Sequence, residues 1–172
     1  MKDTFRFGFI LGIICVVAAG LLAGANSLTK PKILAQALAE ENAGLKAVLP
    51  GTDKFEAVKD QEEVLYYKGY DSNGKLVGFA FKAIGKGYSS LVETLVGMLK
   101  DGRITAIKIL SQNETPGLGS RITEANFTGR FKGVSSLKGV EAITGATISS
   151  KAVISSVEKK ALEVRSLINN EN

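Results

Sequence analysis

The chain has 172 residues, 45% of them hydrophobic and 23% charged, the proportions of an ordinary globular protein rather than a disordered or fibrous one. With no histidine and a single cysteine, Cys15, it lacks a Cys/His catalytic pair, a soft-metal ligand set and any intramolecular disulfide, so redox chemistry would have to come from a bound cofactor. The net charge of +5 is spread over dispersed lysines with no interleaved stacking aromatics, which points to a solvated surface and no nucleic-acid partner.

Between Arg6 and Lys30 the stretch FGFILGIICVVAAGLLAGANSLT carries no charge, and about 20 such residues suffice to cross the hydrocarbon core of a bilayer. Residues 1–29 are therefore expected to form a short cytoplasmic tail and one transmembrane helix. The rival reading is a signal peptide cleaved near Ala23-Gly24-Ala25, after a basic start containing Lys2 and Arg6. The uncharged stretch is long for a signal-peptide core, which favours a retained anchor. Lys2 and Arg6 on one side nearly balance Lys30 and Lys32 on the other, and short N-terminal tails usually stay cytoplasmic, so the soluble part is expected on the extracytoplasmic side of the cell (inner) membrane. Gly8, Gly12, Gly20 and Gly24 recur at turn spacing, either admitting another helix or marking ordinary glycine tolerance in a span.

Residues 30–51 are expected to form a connecting amphipathic helix, with Ile33, Leu34, Ala37, Leu38, Leu45, Val48 and Leu49 on one stripe that stops at Pro50-Gly51. Residues 52–172 then make the soluble domain. In VLYYKGYDSNGKLVGFAFKA, two runs rich in aromatic and β-branched residues flank Asp71-Ser72-Asn73-Gly74, a hairpin signal. A second pair of runs flanks Lys100-Asp101-Gly102, so the centre reads as an antiparallel sheet of about four strands. A loop, SQNETPGLGSRITEANF, leads into a short helix expected to start near Thr123. Val153, Ile154, Val157, Ala161, Val164 and Ile168 then recur at three- and four-residue steps, predicting an amphipathic C-terminal helix. The fold class is α+β: a single N-terminal transmembrane helix followed by an antiparallel sheet with flanking helices.

The stretch EAITGATISSKAV, residues 141–153, carries the functional question. A Gly-Ala pair before a helix lets another group approach the backbone, and the helix start offers unpaired N–H groups and a positive dipole end to a phosphate. On the residues alone, however, Thr144, Thr147, Ser149 or Ser150 reads as an N-cap, the role Ser and Thr commonly fill at a helix start.

TGATISS closely resembles the [S/T]-G-A-T motif of the FMN-binding domain found in the G subunit of Rnf complexes and in the C subunit of the Na+-translocating NADH:quinone reductase. The resemblance implies that Thr147 carries FMN covalently, its hydroxyl esterified to the flavin phosphate by a separate flavin transferase, with Thr144, Gly145 and Ala146 at the preceding motif positions. ETPGLG, from Glu114 through Thr115, Gly117 and Leu118 to Gly119, resembles the family's E-T-P-G-L-G loop, which lies against the flavin. That likeness implies ring contacts from backbone N–H groups and hydroxyls near Thr115, Gly117 and Gly119, and apolar cover from Leu118. GKGYSS, residues 85–90, is similar to the family's G-Y-G-G stretch, with Ser89 and Ser90 where the family has glycines. Family members usually have an aspartate three residues before the first motif threonine, and here Glu141 keeps the charge with a longer reach.

The N-terminal anchor and short length favour the Rnf subunit. The resemblance therefore implies an electron-transfer subunit of a membrane-bound translocase complex, coupling ferredoxin/NAD electron transfer to ion movement, with other Rnf subunits, a flavin transferase and the lipid bilayer as partners. No G-x-G-x-x-G follows a strand in the dinucleotide-binding pattern, so NAD is expected to bind elsewhere in such a complex. Two alternatives remain from the sequence: an independent membrane-anchored flavoprotein relaying electrons to another reductase, and a pilin-like structural protein.

Overall fold

The computed structural model describes residues 2–61 and 63–170. The chain divides into two compact units, one reaching Glu41 and the other beginning at Asn42. Helix α1 spans Lys2–Val48 and includes Pro31 in its interior. A proline there leaves one backbone carbonyl without its helical donor, yet the helix does not restart at residue 30, where the sequence suggested a boundary. Within α1 the 28 residues Arg6–Ile33 are long and apolar enough to cross a membrane. At a rise of 1.5 Å per residue they extend for about 42 Å, against a hydrocarbon core of about 30 Å. Of the amphipathic stripe, Ile33 is exposed and Leu45, Val48 and Leu49 are buried, while the side chains of Leu34, Ala37 and Leu38 lie outside the described residues.

The second unit is built on a five-stranded antiparallel meander in the order β1 (Lys54–Asp60), β2 (Glu63–Tyr70), β3 (Leu76–Lys86), β4 (Leu91–Leu99) and β5 (Ile104–Ser111). The two hairpins expected from the sequence are present. Asp71 organises the first by accepting the N–H groups of Asn73 and Lys75 at 2.9 and 2.8 Å, and Gly74 takes the positive φ of 75° that the turn demands. The extra strand, β1, is an edge strand whose charged and mostly exposed residues lack the apolar run that marks the other four.

Helix α3 (Thr147–Asn170) packs on one face of the sheet. Its buried Val153, Val157, Ala161 and Val164 meet Phe81, Val92 and Val96 from the strands. The close approach of α3 to β3 uses Gly85: a Cβ there would lie 2.9 Å from the carbonyl carbon of Ala152. Phe127 and Phe131, edge to face with ring centroids 5.3 Å apart, close the same core. They come from the segment after β5, where a 3-10 turn at Gly119–Thr123 is followed by the four-residue α2 (Ala125–Thr128), so the short helix starts two residues after Thr123. On the opposite face, the last turn of α1 seats Leu45 and Val48 against Ala80 and Leu95. The Thr105 hydroxyl donates to the Val48 carbonyl and satisfies one orphan acceptor of that helix end.

Candidate functional site

Three segments far apart in sequence meet at one end of the sheet: the β3–β4 turn, the loop after β5, and the start of α3. Between them lies a cleft of about 400 Å³ lined by Tyr88, Glu114, Thr115, Leu118, Gly119 and residues 145–149. That volume falls within the range of about 300–1,000 Å³ usual for small-molecule sites. Tyr88, Leu118 and Ile148 present exposed apolar surface to it.

Glu114 joins the three segments. It is buried, and its Oε1 accepts the N–H of Ser89 at 3.0 Å, the N–H of Ser90 at 2.9 Å and the Ser90 hydroxyl at 3.2 Å. Its Oε2 accepts the N–H of Tyr88 at 3.1 Å and the Ser149 hydroxyl. Three successive backbone N–H groups converging on one carboxylate form an anion-binding concavity. Burial pushes the carboxyl pKa up, but the Ser149 hydroxyl and the three backbone donors outweigh it and hold the group down at about 2. Two glycines make the room: a Cβ on Gly87 would lie 2.6 Å from Glu114 Oε1, and one on Gly119 would lie 2.7 Å from Glu114 Cβ.

The start of α3 differs from the capping arrangement that the residues alone allowed. Ala146, not a hydroxyl residue, precedes the first helical position, and its carbonyl accepts the Ser150 N–H at 2.9 Å. Gly145 adopts φ 84° and turns the chain into the helix. Ser149 is spent on Glu114, and the Ser150 hydroxyl accepts the Ile143 N–H at 3.1 Å. Thr144 and Thr147 are exposed, and neither hydroxyl is hydrogen-bonded among the described residues. The first-turn N–H groups of α3 therefore have no side-chain cap from these four residues.

Of the residues singled out from the sequence, Glu114, Thr115, Leu118, Gly119, Gly145, Ala146 and Thr147 line the one cleft. Thr144 and Gly117 stand outside its lining; the Gly117 N–H donates to the Ser120 hydroxyl at 3.0 Å. Glu141 is exposed, with its carbonyl held by Arg130 Nη1 at 2.7 Å. Sequence reasoning missed Ile148 and the inward use of Ser149, and it left Tyr88 without a role although the GKGYSS stretch contains it.

The lining fits FMN in its chemistry. Apolar side chains offer cover for a planar ring system, and a helix start with unpaired N–H groups offers a seat for a phosphate. Residues 87–162 match the FMN-binding domain family, and residues 1–48 match the RnfG N-terminal region. The G subunit of the Na(+)-translocating ferredoxin:NAD(+) oxidoreductase complex of Acetobacterium woodii is 36% identical over 91% of this chain and 89% of its own. The chain belongs to the G-subunit family of ion-translocating oxidoreductase complexes. Two further members of that family are similar at comparable levels. The G subunit of the ion-translocating oxidoreductase complex of Methanosarcina acetivorans is 35% identical over 89% of this chain and 90% of its own. The G subunit of the proton-translocating ferredoxin:NAD(+) oxidoreductase complex of Clostridium ljungdahlii is 32% identical over 89% and 86%. The crystal structure of Shewanella oneidensis NqrC superposes with a TM-score of 0.48 over 63% of this chain and 64% of that one, at 21% identity. The N-terminal match ends with α1 at Val48, and the FMN-binding match begins at Gly87 and takes in every segment of the cleft.

Proposed function

We propose that this protein is the FMN-carrying, electron-transferring G subunit of a membrane-bound Rnf-type complex that couples ferredoxin/NAD electron transfer to ion movement. One observation carries the reading: Thr147, the threonine picked out by the motif, lines the same cleft as the Glu114–Gly119 loop with its hydroxyl exposed and unengaged. Its neighbour Thr144 is also exposed but lies outside that lining.

In this reading a separate flavin transferase joins Thr147 Oγ1 to the phosphate of FMN. The transferase draws on a flavin phosphoanhydride, whose leaving group departs as the threonine hydroxyl loses its proton. FMN then supplies one- and two-electron chemistry that the chain's own side chains lack. The residues of the cleft bind and orient. The first-turn N–H groups of α3 would hold the phosphate, Leu118 and Ile148 would exclude water from the ring, and Glu114 holds the walls in register. A covalent tether keeps the cofactor in place where free FMN is not readily replenished, which suits an extracytoplasmic domain. The stretch Arg6–Ile33 anchors the chain in the bilayer, with Lys2 and Arg6 on the cytoplasmic side and the other subunits of the complex alongside.

The test is substitution at both threonines in a host that carries a compatible transferase. Thr147→Ala loses the flavin fluorescence that survives denaturing electrophoresis, while Thr144→Ala keeps it. Retention of the label on Thr147→Ala overturns the site assignment.

A further inference from the structure

The Glu114 carboxylate touches the cleft from behind, and what it grips on the cleft side is the backbone of one exposed aromatic residue. Tyr88 sits in the four-residue turn between β3, which ends at Lys86, and β4, which begins at Leu91. The turn is closed by one backbone bond, from the Gly87 N–H to the Ser90 carbonyl at 2.8 Å. The backbone N–H groups of residues 88–90 all go to Glu114, and the Ser90 hydroxyl, which also donates to Glu114, accepts the Asn113 N–H at 2.8 Å. Tyr88 is 72% exposed, lines the cleft, and its ring makes no hydrogen bond or ring contact of its own among the described residues. A side chain so placed owes its direction to its backbone alone.

We propose that Glu114 is a positioning residue for the flavin, holding Tyr88 through the Oε2 bond to its N–H so that the phenol ring lies against the isoalloxazine. This rests on the reading that the cleft takes FMN. The two carboxylate oxygens have unequal duties, and that inequality makes the idea testable. Oε1 accepts three donors, from Ser89 and twice from Ser90, whereas Oε2 accepts the Tyr88 N–H and the Ser149 hydroxyl. In Glu114→Gln the remaining carbonyl oxygen stays with the three donors, and the new NH2 group takes the place of Oε2. The Ser149 hydroxyl can reverse and accept from that NH2; the Tyr88 N–H cannot. The substitution therefore releases Tyr88 selectively while keeping the side chain's shape.

The readout is the emission of protein-bound FMN per flavin, with flavin content fixed by absorbance so that occupancy does not enter. A phenol ring stacked on a flavin quenches its emission by electron transfer. Emission per flavin rises in Tyr88→Ala and rises in Glu114→Gln, and Glu114→Gln adds nothing further in the Tyr88→Ala background. Gly87→Ala, whose Cβ would fall 2.6 Å from Glu114 Oε1, loosens the same grip from the loop side and raises emission even where Glu114→Gln does not fold. Wild-type protein with bound FMN whose emission is unchanged by Glu114→Gln and Gly87→Ala overturns the inference. So does a rise from Glu114→Gln that is equally large with Tyr88 in place and in the Tyr88→Ala background, because Glu114 would then act by another route. Wild-type protein that carries no flavin at all overturns instead the reading of the cleft on which the inference rests.

Discussion

Glu114 shows what a single residue contributes when every lone pair on it has a partner. Its folded pKa of about 2 lies below the ordinary value of 4.5, so the folded state binds this proton less readily than the unfolded chain does. The ionised clamp thus contributes its full stability above about pH 4.5, and that contribution is lost as the pH falls from 4.5 towards 2. Other carboxylates titrate in the same window, so the prediction is a comparison. The wild-type denaturant midpoint, followed by circular dichroism in detergent, falls with acid more steeply between those pH values than that of Glu114→Gln. Parallel acid profiles would show that the clamp carries no differential proton affinity. The residue scale is also where the sequence was most ambiguous. Physical reasoning alone assigned the hydroxyls of residues 144–150 to helix capping, because capping partners are local. The true partner of Ser149 lies 35 residues away along the chain, and no local pattern reveals it. The resemblance to known motifs picked out Thr147 and the Glu114–Gly119 loop, and the structure places them on one cleft. The role of Tyr88 is not legible in GKGYSS, because the N–H groups of residues 88–90 serve Glu114 whatever side chains they carry.

Among the elements, the readable ones were those with a strong apolar period. Strands β2 to β5 and the hairpins around Asp71 and Asp101 emerge from aromatic and β-branched runs broken by turn residues, and α3 emerges from the spacing of Val153, Val157, Ala161 and Val164. β1 did not emerge, because an edge strand with Lys54, Glu56, Lys59 and Asp60 has no buried face to declare. The boundary expected at residue 30 follows the end of the uncharged run at Lys30, a change of composition that does not interrupt the backbone, and α1 continues through it and through Pro31 to Val48. How α3 reaches the sheet depends on a residue with no side chain. Gly85→Ala puts a Cβ against the Ala152 backbone and 3.0 Å from the Ser156 hydroxyl, and a main chain cannot step aside as a flexible side chain can. The expected cost is about 1–3 kcal/mol in equilibrium denaturation, the usual range for overpacking. Leu162→Ala, at a 60% exposed position on the same helix, is expected to change stability by only about 0.5 kcal/mol or less. Equal effects from the two would mean that contact with Gly85 does not limit how α3 docks.

For the whole molecule, the chain joins an apolar helix of membrane-spanning length to a small α+β unit that has no thiol or imidazole of its own with which to do chemistry. Both facts are legible from composition, and both follow if the working group is a cofactor held by a tether. Membership of the G-subunit family supplies the setting, and the cleft at the end of the sheet supplies the seat. The claim that binds these together is chemical and local: one exposed hydroxyl at the head of α3 is esterified. Peptide mass spectrometry on protein purified from the membranes of its own host reads that bond directly. The account predicts that the peptide containing Thr147 carries the added mass of one FMN, with fragmentation placing it on Thr147. An unmodified peptide from flavin-replete membranes, or the same added mass on Thr144 or another hydroxyl, would contradict it.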